Sequence, residues 1–293
     1  MTAAERGVLL LCAQLSDGEK PLTMAQFRTL SKRAHALGMG EADPLRELCE
    51  KDLLRLGYSV PDAEHIVRLL SREAELSAYL AAAERLGIFP LTRINPAYPK
   101  RLAAQLGMDC PPVLFVRGDE TLLHTRMIGV VGSRALRPEN RVFAESAGRK
   151  IAEECFTLVS GGATGADLAA QQACLSAGGS VVIFPATRLC DCKAPERTCY
   201  VSEDGFDLPF SVPRAMRRNR LIHAMGEKTL VAQTSLETGG TWAGSLDNLR
   251  HSYSPVFVFD DGSDAAKALS ALGAILTGEL HTLDELQPAQ LSF

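Results

Sequence analysis

No apolar run in this 293-residue chain approaches the roughly 18 uninterrupted residues that a membrane helix needs. The opening Met1-Thr2-Ala3-Ala4-Glu5-Arg6 lacks the basic stretch, apolar core and small-residue cleavage site of a secretory leader. These two absences make the cytoplasm the expected compartment and give no reason to expect a membrane partner. Cysteine is too sparse, at eight residues, for a disulfide framework. Cys12, Cys49, Cys110, Cys155 and Cys174 lie in apolar or helical surroundings and are expected to be small buried hydrophobes. Cys190, Cys192 and Cys199 are closer together, but they supply three thiolates with no histidine nearby, where a structural zinc site wants four ligands. No metal and no cofactor is expected. The chain also shows no paired nucleophile and base, so no catalytic residue is assigned.

An overall excess of positive charge is missing too. The formal net charge of −4 excludes a generic polyanion binder, while 46% hydrophobic and 23% charged residues are the composition of a globular protein. The average hides a pattern, however. Residues 126–150 hold six basic side chains against two acidic, residues 214–228 hold five against one, and residues 260–293 hold six acids against Lys267. Positive charge so placed implies a localised anionic partner.

The first 90 residues read as helices only, a small all-α domain with segments at Gly7–Leu15, Met24–Leu37, Pro44–Leu56 and Asp62–Leu86. Gly38-Met39-Gly40, Gly57 and Gly87 supply stops, and Thr23 with Gln26, and Ser59-Val60-Pro61-Asp62, supply helix starts. A proline-rich bridge over 89–118 carries a short apolar piece, Val113–Val116. From residue 91 to 293 the pattern alternates. Strands are expected at 127–131, 156–160, 180–184, 199–202, 229–232 and 255–259, mostly separated by helices. Their continuous apolar character fits strands covered on both faces, giving an α/β, Rossmann-like doubly wound and mostly parallel sheet. Such sheets bind ligands at the carboxyl ends of their strands.

Four glycine or arginine motifs fall at those ends. Gly132-Ser133-Arg134 follows the first strand, where serine can cap the next helix and arginine can grip phosphate in a two-pronged geometry. Ser160-Gly161-Gly162-Ala163-Thr164-Gly165-Ala166-Asp167 follows the second. It is not a P-loop, because no Gly-Lys-Ser/Thr closes it, and its glycine spacing is not the dinucleotide fingerprint. Asp167 is expected to cap backbone amides there. Arg217-Arg218-Asn219-Arg220 opens onto an apolar stretch containing His223, which is expected to be a packed or surface histidine. Thr238-Gly239-Gly240-Thr241, preceded by Glu237, makes another glycine turn beside Trp242, the sole tryptophan, which could stack on a base but is expected to be buried. The residues expected to hold phosphate are Gly132, Ser133, Arg134, Ser160, Gly161, Gly162, Thr164, Gly165, Arg217, Arg218, Arg220, Thr238 and Gly239.

In order along the chain, Tyr98-Pro99-Lys100-Arg101-Leu102, Pro112–Gly118, Val131–Arg134, Ser160–Ala163 with Gly165 and Asp167, Gly178-Gly179, Ser202-Glu203 and Arg218-Asn219-Arg220 resemble the DprA, or Smf, family of DNA-processing proteins. The resemblance implies an extended Rossmann domain that binds single-stranded DNA in a basic pocket without chemical turnover. It also implies homodimers that help load a RecA-type recombinase during natural transformation and recombination. Gly132, Ser133, Arg134, Gly161, Gly162, Arg218 and Arg220 would line that pocket. The chain departs from the family pattern in four places. Gln171 stands where the family usually has histidine, residues 186–200 are shorter than usual and lack the customary Tyr-Pro, Thr238–Thr241 replaces a Ser-Gly-Ser pattern, and no winged-helix domain is expected before Phe293. Gly239-Gly240-Thr241 is also similar to the turn of LOG-like nucleoside monophosphate phosphoribohydrolases, which leaves a nucleotide enzyme or sensor as the alternative, and a degenerate scaffold as a third reading.

Overall fold

The computed structural model describes residues 1–15, 18–36, 48–284 and 286. They form two compact units, Met1–Tyr98 with Leu106–Val116 and Ser202–Asp207, and Pro99–Gln105 with Arg117–Val201 and Leu208–Phe293. No helix among the described residues is long and apolar enough to cross a membrane.

In the first unit, five helices, α1 (Ala3–Cys12), α2 (Met24–Ala36), α3 (Glu50–Arg55), α4 (Val60–Leu70) and α5 (Glu73–Arg85), precede the strands β1 (Ile88–Thr92) and β2 (Val113–Gly118). Helix α2 begins where expected. Gln26 N–H donates to the Thr23 hydroxyl, and the Gln26 carboxamide oxygen accepts the Thr23 N–H, which together satisfy two amides that a helix start leaves open. Ser59 caps α4 with its hydroxyl, which accepts the Asp62 N–H. The single helix expected over Asp62–Leu86 is instead broken at Ser71-Arg72. Arg72 is buried and donates from Nε and Nη2 to the Leu10 carbonyl at 2.8 and 2.6 Å, and from Nη2 to the Ala13 carbonyl at 2.8 Å. It satisfies carbonyls that the end of α1 leaves open, and its backbone (φ −88°, ψ 37°) leaves the helical path to do so. Of the helix expected over Pro44–Leu56, residues 44–47 lie outside the described residues, as does the Gly38-Met39-Gly40 stop. The expected bridge after residue 88 begins as β1, whose Pro90 is accommodated because β1 is the outermost strand beside β2.

The second unit contains α6 (Lys100–Leu106), β3 (Met127–Val131), α7 (Pro138–Glu153), β4 (Thr157–Ser160), α8 (Ala166–Ser176), β5 (Ser180–Ile183), β6 (Thr198–Ser202), α9 (Val212–Met225), β7 (Lys228–Val231), α10 (Gly239–His251), β8 (Val256–Phe259), α11 (Asp264–Ala271) and β9 (Ile275–Thr277). All six strands expected over 127–259 form. The three-residue β9 has too little pattern to read from the sequence. The strands lie in the order β6-β5-β4-β3-β7-β8-β9, with parallel pairing at every step. The chain therefore winds outward from β3 to β6, returns through α9, and winds the other way from β7. The reversal places a crevice between the carboxyl ends of β3 and β7, the position where doubly wound sheets take ligands.

On one face, Ile128, Val130, Leu158, Val181, Ile183, Leu230 and Phe257 pack against Phe143, Ala144, Ala147 and Ile151 of α7 and Ala166, Ala169, Ala170 and Cys174 of α8. Trp242 is buried as well, at 6% exposure, which removes it as a stacking surface. The cysteine expectation holds for Cys12, Cys110 and Cys174 but fails for Cys49 and Cys155, both exposed. Cys49 is the N-cap residue of α3, and Cys155 takes a left-handed backbone (φ 59°) in the turn after α7. Each sits at the end of a helix, outside its buried stripe.

Helices α7 and α8 meet at Gly148, where an added Cβ would collide with the backbone carbonyl of Ala170. Relief requires the two helices to part. Gly148→Val is expected to lower the unfolding free energy by about 2–3 kcal/mol, the upper part of the range for overpacked cores, with denaturant unfolding as the measurement.

Candidate nucleic-acid interface

A cavity of about 420 Å³ opens at the crevice between β3 and β7. Its wall comes from the β3 turn (Gly132, Ser133, Arg134), the β4 turn (Ala163, Asp167), the lead-in and inner face of α9 (Phe210, Met216, Arg218, Asn219, His223), and the segment after β7 (Thr234, Ser235, Thr238–Thr241). Asp167 is the one carboxylate among these lining residues.

The β4 turn is closed from within. Asp167, in the first turn of α8, accepts the N–H of Gly161 at 3.1 Å and of Ala163 at 3.2 Å, the capping role expected for it. Burial pushes its carboxyl above the usual aspartate value, and Arg218, the two N–H donors and Arg134 pull the other way. Behind the turn, the fully buried Ser160 hydroxyl accepts from the Gln171 amide, so glutamine here serves as a brace. Gly165 (φ 85°) adopts a backbone conformation that L side chains rarely take, and a Cβ there would strike the backbone of Ser133 and Arg134. The β3 and β4 turns are thereby pressed together, and Ala166 N–H donates to the Ser133 carbonyl at 3.1 Å.

Arg218 lies over this closed turn. Its guanidinium occupies the space that a Cβ on Gly161 would take, and its Nε and Nη1 are buried with no hydrogen-bond partner among the described residues. Burial works against its charge, Asp167 supports it and the neighbouring Arg134 opposes it, with a net lowering of its pKa. Buried donors without partners are costly, so an anion brought to this wall gains what the protein itself does not supply. Arg134 is exposed, with its guanidinium 5.8 Å from the ring centroid of Phe210.

The expected phosphate residues thus separate into groups. Gly132, Ser133, Arg134, Arg218, Thr238 and Gly239 line the cavity. Ser160, Gly161, Gly162, Thr164 and Gly165 build the turn beside it. Ser160 and Gly161 are buried there, whereas Gly162 and Thr164 are exposed. Arg217, which is exposed, and Arg220, which is half-buried, stand outside the lining. Part of the basic charge counted in the sequence is also spent inside the fold. Arg126 pairs with Glu227, Arg137 with Asp261, and Lys150 with Glu153, while Arg214 donates to the carbonyls of Ala186, Leu208 and Pro209. Of the acids nearest the third glycine turn, Glu237 is exposed and Asp247 pairs with His251, and neither lines the cavity. The sequence reading missed Phe210, 47% exposed on the rim, and Asn219 and His223 on the wall. An apolar residue stranded in Leu208-Pro209-Phe210-Ser211 was the available signal for the first.

The family model for DNA recombination-mediator protein A matches residues 90–277. Protein Smf of Escherichia coli K12 is 29% identical over 264 residues, covering 78% of this chain and 68% of that protein. DNA processing protein DprA of Streptococcus pneumoniae is 29% identical over 182 residues, covering 57% of this chain and 64% of that protein. The X-ray structure of S. pneumoniae DprA aligns with a TM-score of 0.71 at 23% identity, over 94% of this chain and 95% of its own. DNA processing protein A from Helicobacter pylori, solved for its single-stranded DNA binding mode, aligns with a TM-score of 0.53 at 22% identity, over 65% of this chain and 90% of its own. With its model matched across well over half the sequence, in the part that contains all three glycine turns and both arginines of the cavity wall, the chain belongs to the DNA recombination-mediator protein A family.

Proposed function

We propose that this protein binds single-stranded DNA in the cavity between β3 and β7 and acts by holding the strand rather than by cleaving it. The observation that carries the reading is the Arg218 guanidinium, fixed on Gly161 with two donors unpartnered at a wall that also presents Arg134. A phosphodiester supplies the missing acceptors and charge, and phosphate contacts tolerate any sequence. Phe210 on the rim offers a face for base stacking, as single-strand binders use. We place this activity in the part from residue 91 onward, which supplies every residue lining the cavity. Delivery of the bound strand to a RecA-type recombinase, by a homodimer in the cytoplasm, is the finer role we propose, supported by family membership.

Anisotropy of a labelled single strand of about 30 nucleotides, with a matched duplex and a salt series, tests the binding. Preference for the single strand is expected, with log affinity falling against log salt by about 0.7 for each phosphate neutralised. Arg134→Ala is expected to weaken binding and flatten that slope by about 0.7 while leaving the melting temperature unchanged, since its side chain is exposed. No binding at low salt would overturn the proposal and turn attention to nucleoside monophosphates.

Phe210→Ala is expected to cost about 1–3 kcal/mol of binding, the range for one stacked base, with the salt slope unaltered. Equal loss on an abasic strand would show that the ring does not stack.

A further inference from the structure

His223 carries the second polar feature of the cavity. It sits on α9, one turn beyond Asn219, and is 1% exposed, yet it is one of the lining residues. Its protonation follows from its neighbours. The backbone N–H of Ser254 can only donate, and it donates to Asn248 Oδ1 at 2.9 Å, which fixes the orientation of that side-chain amide. Asn248 Nδ2 is therefore the donor end, and its two hydrogens go to Ser254 Oγ and to His223 Nδ1, both at 3.2 Å. Thr229 Oγ1 stands 3.1 Å from the same Nδ1 and 2.9 Å from Ser254 Oγ, so a chain of hydroxyl donation also ends on that nitrogen. An Nδ1 facing an amide donor must be an acceptor. The ring hydrogen is then on Nε2, with no partner among the described residues.

That end of the ring faces α10, where a Cβ on Gly244 would stand 3.4 Å from His223 Nε2 and 3.1 Å from Asn219 Nδ2. The first turn of α10, Gly239 to Thr241, lines the same cavity as His223. Burial holds the imidazole at a pKa of about 4, so the ring is uncharged at neutral pH.

We propose that His223, as the fixed neutral Nε2–H tautomer, donates a hydrogen bond to a phosphate oxygen held between α9 and the start of α10. This rests on the single-strand reading for the identity of the phosphate but not for the site itself. An uncharged donor adds affinity without displacing a counterion, so its contribution differs in kind from that of Arg134. One hydrogen bond from a neutral donor to an ionised phosphate corresponds to about a ten- to hundredfold change in affinity.

Two measurements on the full chain test this. In protein carrying 15N-histidine, long-range proton–nitrogen correlation is expected to show one of the six histidines as the Nε2–H tautomer at neutral pH. Its Nε2–H signal should shift on addition of inorganic phosphate and of an oligothymidylate. An Nδ1–H tautomer, or no shift with either ligand, would overturn the proposal. A shift with phosphate and none with the strand would keep the site and remove the DNA reading. In anisotropy, His223→Asn, whose carboxamide can replace Nδ1 toward Asn248 but lacks the Nε2 donor, is expected to lose about ten- to hundredfold at an unchanged salt slope. His223→Gln, which restores an N–H near Nε2, should recover most of that loss. The His223→Asn loss should persist on an abasic strand, and its disappearance there would assign the contact to a base and contradict the phosphate.

Discussion

An arginine guanidinium laid against a glycine backbone is the arrangement on which the rest of the site depends. Arg218 can reach the β4 turn only because Gly161 has no side chain, and the turn keeps its shape only because Asp167 holds the amides of Gly161 and Ala163. The same carboxylate supplies the charge that keeps Arg218 tolerable in a half-buried position. Even so, two guanidinium nitrogens remain without acceptors among the described residues. Such an incomplete pairing is weak support for stability and strong support for a missing ligand.

The sheet explains why these parts converge. Winding outward from β3 to β6 and then restarting at β7 leaves the turns after β3 and β7 on opposite sides of one crevice, with α9 crossing back to bridge them. Gly165 presses the β4 turn onto the β3 turn, so these two loops form one wall. Farther along α9, His223 adds a polar group of a different kind, neutral and fixed by a buried Asn248–Ser254–Thr229 network. A charged wall beside a neutral one suits a phosphodiester, which needs both charge compensation and geometric placement.

Much of this was legible in the chain itself. The strand-glycine-helix sequences at 128–134 and 157–167 and the Arg217–Arg220 run located the elements and most of the wall, because glycine spacing and apolar runs are local signals. What was not legible depends on tertiary partners. The break at Arg72 exists because α1 offers carbonyls to it, and the charge near residues 126–150 is partly consumed by Glu227 and Asp261, both distant in sequence. His223 read as an isolated packed residue because its tautomer is set by Asn248, Thr229 and Ser254, none of which is paired with it in any sequence pattern. Phe210 gave no periodic signal, since it lies in the irregular lead-in to α9.

The central claim is that Arg218, held in place on Gly161, is the donor that grips the strand. Gly161→Ala tests it most directly, because the variant keeps every charged and polar side chain and removes only the space the guanidinium occupies. The measurement is the salt dependence of single-strand affinity for this variant beside wild type and Arg218→Ala. The account predicts that Gly161→Ala loses affinity and salt slope to nearly the extent of Arg218→Ala while the protein stays folded. Wild-type affinity and slope in Gly161→Ala, with Arg218→Ala equally unaffected, would contradict it.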